Sequence, residues 1–278
     1  MFKGRTLLIA TKHEKETIIS PIFENELGVN CLVPENLDTD LLGTFTGEVE
    51  RKFDPIKTAR QKCEMAMQLI NADLAIANEG SFGPHPSIFF INSDEEILLF
   101  IDKKNNLEII IKEISTITNF NASLINNLRE LKSFANKVGF PSHGLILRPS
   151  KENINLIFKG ITTWVKLIDT YNYLINHYDT VYVETDMRAM YNPTRRKVIE
   201  IATNKLVEKI KTNCPSCKTP GYSITGMNDG LPCSVCKAPT KSVLSHIYTC
   251  QKCNYQESKV FPYDKTEEDP MYCDQCNP

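Results

Sequence analysis

Short apolar runs alternate with apolar stripes recurring every three or four residues along the first 210 positions, the pattern of strands interleaved with helices. Thr6 to Ala10 (TLLIA) and Val29 to Val33 (VNCLV) are continuous apolar runs of the inner-strand type. Between them Ile18, Ile19, Ile22, Phe23 and Leu27 form a helical stripe that Gly28 ends. Pro21 either kinks that helix or starts a shorter one behind Ser20. Asp54 and Pro55 open a second helix, in which Ile56, Ala59, Cys63, Met67 and Ile70 recur at helical spacing. A third inner strand is predicted at Leu74 to Ala77.

The segments Ile88 to Ile91, Ile97 to Ile101 and Leu107 to Lys112 are β-rich and separated by the polar turns NSDEE and DKKNN, which reads as an antiparallel meander. A helix follows with Leu124, Leu128, Leu131, Ala135 and Val138 on one face, then a strand at Leu145 to Leu147. A helix around Thr163 to Asn176 and a strand at Val181 to Glu184 come next. The last helix, from about Thr194 to Lys211, is predicted to bury Val198, Ile201, Ala202, Leu206 and Ile210. Residues 1–210 therefore read as an α/β body with a mixed central sheet and flanking helices.

Cysteine changes the picture beyond that point. Of ten cysteines, Cys31 and Cys63 lie in the body and eight fall between Cys214 and Cys276. These eight form four C-x-x-C pairs: Cys214/Cys217, Cys233/Cys236, Cys250/Cys253 and Cys273/Cys276. Two thiolates on one tight turn face one side of a metal, and two such turns complete a closed tetrahedral sulfur site. Residues 211–278 are thus predicted to be a small all-β zinc-ribbon module with two structural Zn2+ ions, hairpins such as HIYT and SKVF joining the knuckles. Pairing the first knuckle with the second and the third with the fourth closes the shortest loops and is the expected arrangement. Nested and interleaved pairings use the same ligands.

With a net charge of -2, the 278-residue chain carries no basic footprint for nucleic acid. The apolar start MFKGRTLLIA is too short for a signal-peptide core, and no uncharged apolar stretch reaches spanning length. A soluble cytoplasmic protein without a membrane partner is expected, in which thiols stay reduced and hold metal.

Ligands of open α/β sheets bind beyond the carboxyl ends of strands. Leaving the first strand, ATKHEKE brings Thr11, Lys12, His13 and Lys15 to a helix start suited to phosphate. The third strand delivers Asn78, Glu79, Gly80 and Ser81 to the same edge, where Glu79 is read as a holder of Mg2+ or an activator of water. Pro84 and Pro86 fix the direction of His85, read as an aid to proton transfer. FPSHGLILRP offers His143 as a substrate-binding residue, and ETDMRAMYNPTRR offers Asp186 and Arg188 as catalytic candidates on the far wall, with its arginines suited to clamp an anion. Each stretch also has a plain structural reading as a capped turn or an ion pair.

With these residues placed, the first 150 or so positions resemble the nucleotide pyrophosphatases that include the inosine/xanthosine triphosphatases and their Maf-like relatives. The resemblance lies in ATKHEKE, in the helix segment TARQKCEMA, in the acidic turn ANEGS and in FPSHGLILRP. It implies that the first turn binds phosphates, that the acidic turn helps hold magnesium, that the glycine-bearing strand after His143 contacts a base, and that a nucleoside triphosphate is cleaved. The whole arrangement, terminal knuckles included, is similar to a bacterial family to which no activity is attached. Two functions follow as expectations: a hydrolase acting on a nucleotide or similar phosphorylated small molecule, or an adaptor or sensor whose zinc module docks a protein or RNA partner.

Overall fold

The structure is a computed structural model that describes residues 1–43, 49 and 52–278. It divides into two compact units, Met1–Val207 and Glu208–Pro278.

The first unit holds two sheets. One has five strands in the order β2-β1-β3-β4-β5: β1 (Thr6–Ala10) lies parallel to β2 (Asn30–Leu32) and to β3 (Leu74–Pro84), while β4 (Asn92–Asp102) and β5 (Leu107–Ser115) add antiparallel. Helix α1 (Glu16–Leu27) passes straight through Pro21 and ends at Gly28, whose left-handed φ of 65° lets its N–H reach Glu24 O. Helix α2 (Pro55–Leu69) is capped by Asp54, which accepts from the Lys57 N–H. Its apolar face packs Ala59, Cys63 and Ala66 on Leu8, Ala10, Ala75 and Ala77.

Two expectations fail in this sheet. The third strand runs on from Ala77 to Pro84, and its partner begins at Asn92, so the polar segment NSDEE is strand and not turn. Two buried carboxylates of these strands are matched by buried cations: Glu79 pairs with Lys62, and Glu96 with Arg195. The apolar segment Ile88 to Ile91 instead forms the hairpin tip, where Phe89 and Phe90 are 78% and 89% exposed.

The predicted single mixed sheet is also corrected. Strands β6 (Ala122–Ile125), β7 (Leu145–Arg148), β8 (Phe158–Ile161) and β9 (Val181–Thr185) form a separate antiparallel sheet in the order β6-β9-β7-β8. Leu124 belongs to β6, because Asn127 caps α3 (Leu128–Lys137) by accepting from the Glu130 N–H. Helix α4 (Trp164–His177) and α3 bury Leu131, Phe134, Leu167 and Leu174 against Leu145, Val181 and Val183.

Helix α5 (Pro193–Lys211) starts behind Asn192, which accepts from the Arg195 N–H at 2.9 Å. It buries Val198, Ala202, Leu206 and Ile210, but Ile199 takes the inward position expected of Ile201, which is 48% exposed.

In the second unit β10 (Ser223–Asp229), β11 (Val243–Thr249) and β12 (Gln256–Val260) form an antiparallel sheet in chain order.

Candidate functional site

A cavity of about 570 Å³ opens in the first unit between the carboxyl end of β1 and the second half of β3 in one sheet and β7, β8 and β9 of the other. That volume suits a small ligand. The turn after β1 brings Thr11, Lys12, His13 and Lys15 to its wall, with His13 and Glu14 held at left-handed φ values of 68° and 61°. Strand β3 contributes Glu79, Ser81 and Phe82, and the segment leaving β9 contributes Asp186, Met187 and Arg188.

Lys15 lies buried, donating to Asn78 O at 2.9 Å. Burial, reinforced by the positive charge of Arg195, pushes its amine down to about 7. Lys62, on the buried face of α2, forms an ion pair with Glu79. The fully buried Asp186 accepts from Arg188 Nε at 2.9 Å and Nη2 at 2.6 Å, and from the Gly160 N–H at 3.0 Å. Arg188 in turn lies over the Tyr191 ring, 4.6 Å from its centroid. Arg148 pairs with Glu184 at 2.9 Å, and Lys12 pairs with Asp38. Burial pushes the Glu184 carboxyl up, against the pull of Arg148.

Seven cationic side chains therefore meet three carboxylates around this space: Lys12, Lys15, Lys62, Arg148, Lys151, Lys159 and Arg188 against Glu79, Glu184 and Asp186. Each carboxylate is already matched to a cation. Phe82 and Phe120, with ring centroids 5.8 Å apart and planes tilted by 30°, and Tyr182 add aromatic side chains to the lining.

Seven candidates from separate stretches of sequence, Thr11, Lys12, His13, Lys15, Glu79, Asp186 and Arg188, thus line one cavity. His85 and His143 are not among its lining residues. The His85 Nδ1 accepts from the N–H groups of Ser87 and Ile88, both at 3.1 Å, and so caps its own hairpin turn. His143 meets Ser142 Oγ at 3.0 Å and Thr194 Oγ1 at 2.9 Å, near the start of α5. A magnesium site at Glu79 also lacks partners. Among the described residues, the groups of three or more Cys, His, Asp or Glu side chains within metal-binding reach are all cysteine.

Behind the cavity stands a buried network that sequence reading missed. Arg195 Nε donates to Glu96 Oε1 at 2.6 Å, Asn78 Nδ2 donates to Glu96 Oε2 at 2.8 Å, and Arg195 lies over Phe82. Lys62, Arg148, Lys151 and Lys159 were also unassigned as site residues. Lys62 carries a readable signal: it directly precedes Cys63 and lies three positions after Ala59, on the apolar stripe of its helix.

In the second unit the eight cysteines gather as Cys214, Cys217, Cys250 and Cys253, and as Cys233, Cys236, Cys273 and Cys276. The expected pairing of neighbouring knuckles is therefore wrong: first joins third, and second joins fourth. The antiparallel sheet is the cause. Ser223, at the start of β10, pairs with Thr249 at the end of β11, so knuckles one and three share one end of the sheet. Asp229 pairs with Val243, and β12 returns to that end at Val260, which puts knuckles two and four together there. Sulfur–sulfur distances include 3.7 Å for Cys214 and Cys253, 3.6 Å for Cys217 and Cys250, 3.8 Å for Cys233 and Cys276, and 3.5 Å for Cys236 and Cys273. Zinc at about 2.3 Å from each sulfur gives a tetrahedron with edges of about 3.8 Å. All eight are free thiols, so the clusters fit metal and are not disulfides.

Residues 62–278 match the family described as Domain of unknown function (DUF6671). The chain belongs to this family. The DUF6671 match begins at Lys62 on the cavity wall and takes in β3, the second sheet and both cysteine clusters. Thr11, Lys12, His13 and Lys15 lie before it. The sequence matches no curated protein. The nucleotide pyrophosphatases therefore remain a likeness of short motifs. Among the described residues no helix is long and apolar enough to cross a membrane.

Proposed function

We propose that the first unit binds a phosphorylated small molecule in its cavity and that two structural zinc ions hold the second unit together. The observation that carries the first part is the convergence of seven basic side chains, six of them besides the uncharged-leaning Lys15, on a space whose three carboxylates are each paired with one of them. In such a partly desolvated site the surplus positive charge favours a polyanion. The aromatic side chains of Phe82, Phe120 and Tyr182 support a flat ring beside the phosphate, which puts nucleotides first among candidates.

A hydrolytic step would draw on Glu79. The ligand's phosphate would have to draw Lys62 away and so free the carboxylate to orient water. Neither His85 nor Asp186 has that role, since the first caps a turn and the second holds Arg188. The alternative reading, a protein-docking role for the zinc module, is supported by Ile224, Met227 and Val260, which its sheet leaves exposed.

Titration calorimetry with pyrophosphate, nucleoside mono- and triphosphates and sugar phosphates tests the cavity. At least one should bind, and Arg188→Ala should weaken it about 10- to 100-fold, the range for a hydrogen bond to a charged group. If every compound binds more weakly than about 1 mM, the reading fails. Release of phosphate or pyrophosphate by the wild type but not by Glu79→Gln would identify hydrolysis.

A further inference from the structure

Two of the cavity's lysines, Lys15 and Lys62, are buried, and of these Lys15 stands in different surroundings. Lys12 meets Asp38, Lys62 meets Glu79, Arg148 meets Glu184 and Arg188 meets Asp186. Lys15 has no carboxylate at ion-pair distance among the described residues. Its amine makes one hydrogen bond, to a neutral carbonyl, and the residue is only 5% exposed although it lines the cavity. Arg195 and Lys62 crowd it with positive charge, while the nearby Glu96 and Glu79 are each engaged by another cation. Lys15 is also the N-cap residue of α1, at the positive end of the helix dipole.

These surroundings favour the uncharged amine for two reasons. A buried ammonium without a counter-ion is costly, and neighbouring cations add to the cost. The shift of Lys15 down to about 7 is the expression of that geometry. An uncharged primary amine is a nucleophile toward carbonyl carbon. The other cations, Lys12, Lys159 and Arg188 among them, are left to hold a phosphate.

We propose that Lys15 is a carbonyl-reactive lysine, and that the cavity captures phosphorylated aldehydes or ketones as imines. This rests on the phosphate-binding reading of the same cavity. The Nζ lone pair attacks the carbonyl carbon, a C–N bond forms, and the C=O π pair moves to oxygen. A proton lost from nitrogen goes to that oxygen and gives the carbinolamine. The nitrogen lone pair then expels hydroxide, which leaves as water with one further proton, and a protonated C=N imine remains. No oxidant or reductant takes part.

Pyridoxal 5′-phosphate, used as a phosphorylated aldehyde, probes the step on the full zinc-loaded chain. Borohydride reduction fixes any imine as a secondary amine, and peptide mass mapping locates it. One principal adduct is expected, on Lys15, and added pyrophosphate should suppress it. Its yield should rise about tenfold between pH 6 and pH 8 and then level off, as an amine near 7 loses its proton. Ordinary lysines gain about a hundredfold in neutral amine over the same interval and continue to rise. Lys15→Arg should remove the principal adduct.

Adducts scattered over surface lysines, with Lys15 no richer than the rest, would overturn the proposal. If pyrophosphate binds by calorimetry while Lys15 stays unlabelled, imine capture is wrong and the phosphate site stands. If no phosphate compound binds, the underlying reading of the cavity is itself refuted.

Discussion

Arg195 and Glu96 are 99 residues apart in sequence and meet with neither side chain exposed, Nε lying 2.6 Å from Oε1. The pair joins α5 to β4, and because Arg195 also donates to Met187 O it reaches the segment that carries Arg188 into the cavity. Removing one member of a buried pair leaves a bare charge, at a cost of about 3–5 kcal/mol. Arg195→Met should lower stability by about that much in urea unfolding, and adding Glu96→Leu should recover part of the loss. Gly80→Ala attacks the same place sterically. A Cβ at Gly80 would collide with Arg195 Nη2 and lie 2.9 Å from Glu96 Oε1, so a loss of about 1–3 kcal/mol is expected. A change below about 1 kcal/mol in Arg195→Met would contradict this account.

The same cluster sets an acid–base signature. Both carboxyl oxygens of Asp94 are buried without a hydrogen-bond donor, and Glu96 lies beside them. Burial first, and the charge of Glu96 second, push Asp94 up to about 8, against the pull of Arg195 and Lys15. Between the ordinary carboxylate range near 4 and pH 8, the folded chain keeps a proton that the unfolded chain has released. Stability therefore falls as pH rises across that window, by at most about 1.4 kcal/mol per pH unit from this group. Lys15 acts in the opposite sense and in another window: from about 7 to the ordinary lysine value of 10.5 the folded state holds fewer protons, so stability rises with pH. Urea midpoints for Asp94→Asn should vary less between pH 5 and pH 8 than those of the wild type, and Lys15→Met should flatten the alkaline rise. Parallel curves for Asp94→Asn and wild type would refute the assignment.

How much of this was legible depended on whether polarity announced exposure. Helix ends were readable where caps are local: Asp54 and Gly28 act within a few residues of themselves. Strand ends in β3 and β4 were not, because Glu79 and Glu96 look like loop residues until their distant partners Lys62 and Arg195 are known. Short strands broke the single-sheet expectation for a related reason. Phe158–Ile161 contains Lys159 and a glycine at φ 64°, which no period-2 pattern identifies as sheet. The cavity was half legible: residues of turns just beyond a predicted strand, such as Lys12, Glu79 and Arg188, were found, whereas Lys62 sits within a helix and Lys159 within a strand of the second sheet.

Asp186 looked catalytic from sequence, yet it accepts from the Arg188 guanidinium, from the Arg188 backbone N–H and from the Gly160 N–H. A carboxylate so engaged positions the guanidinium and is not free to move protons. Asp186→Asn should loosen Arg188 and weaken pyrophosphate binding about tenfold, near 1.4 kcal/mol. Pyrophosphate affinity unchanged by Asp186→Asn in calorimetry would contradict the positioning role.

Zinc stoichiometry distinguishes the interleaved pairing from its rivals without a structure. Each four-cysteine set supplies folding free energy through its metal, on the order of 10 kcal/mol, so losing one ion should unfold its end of the sheet. Cys214→Ser with Cys250→Ser removes two ligands from one set and should leave one zinc per chain. Cys214→Ser with Cys233→Ser removes one ligand from each set and should weaken both ions. Sequential pairing reverses these outcomes, because Cys214 and Cys233 would then share a site. Metal analysis by mass spectrometry, with a chelator challenge to expose weakened sites, reads the difference directly. Equal weakening of both ions in the two double variants is the outcome of nested pairing and would overturn the interleaved arrangement, and loss of both ions in the first variant alone would restore the sequential one.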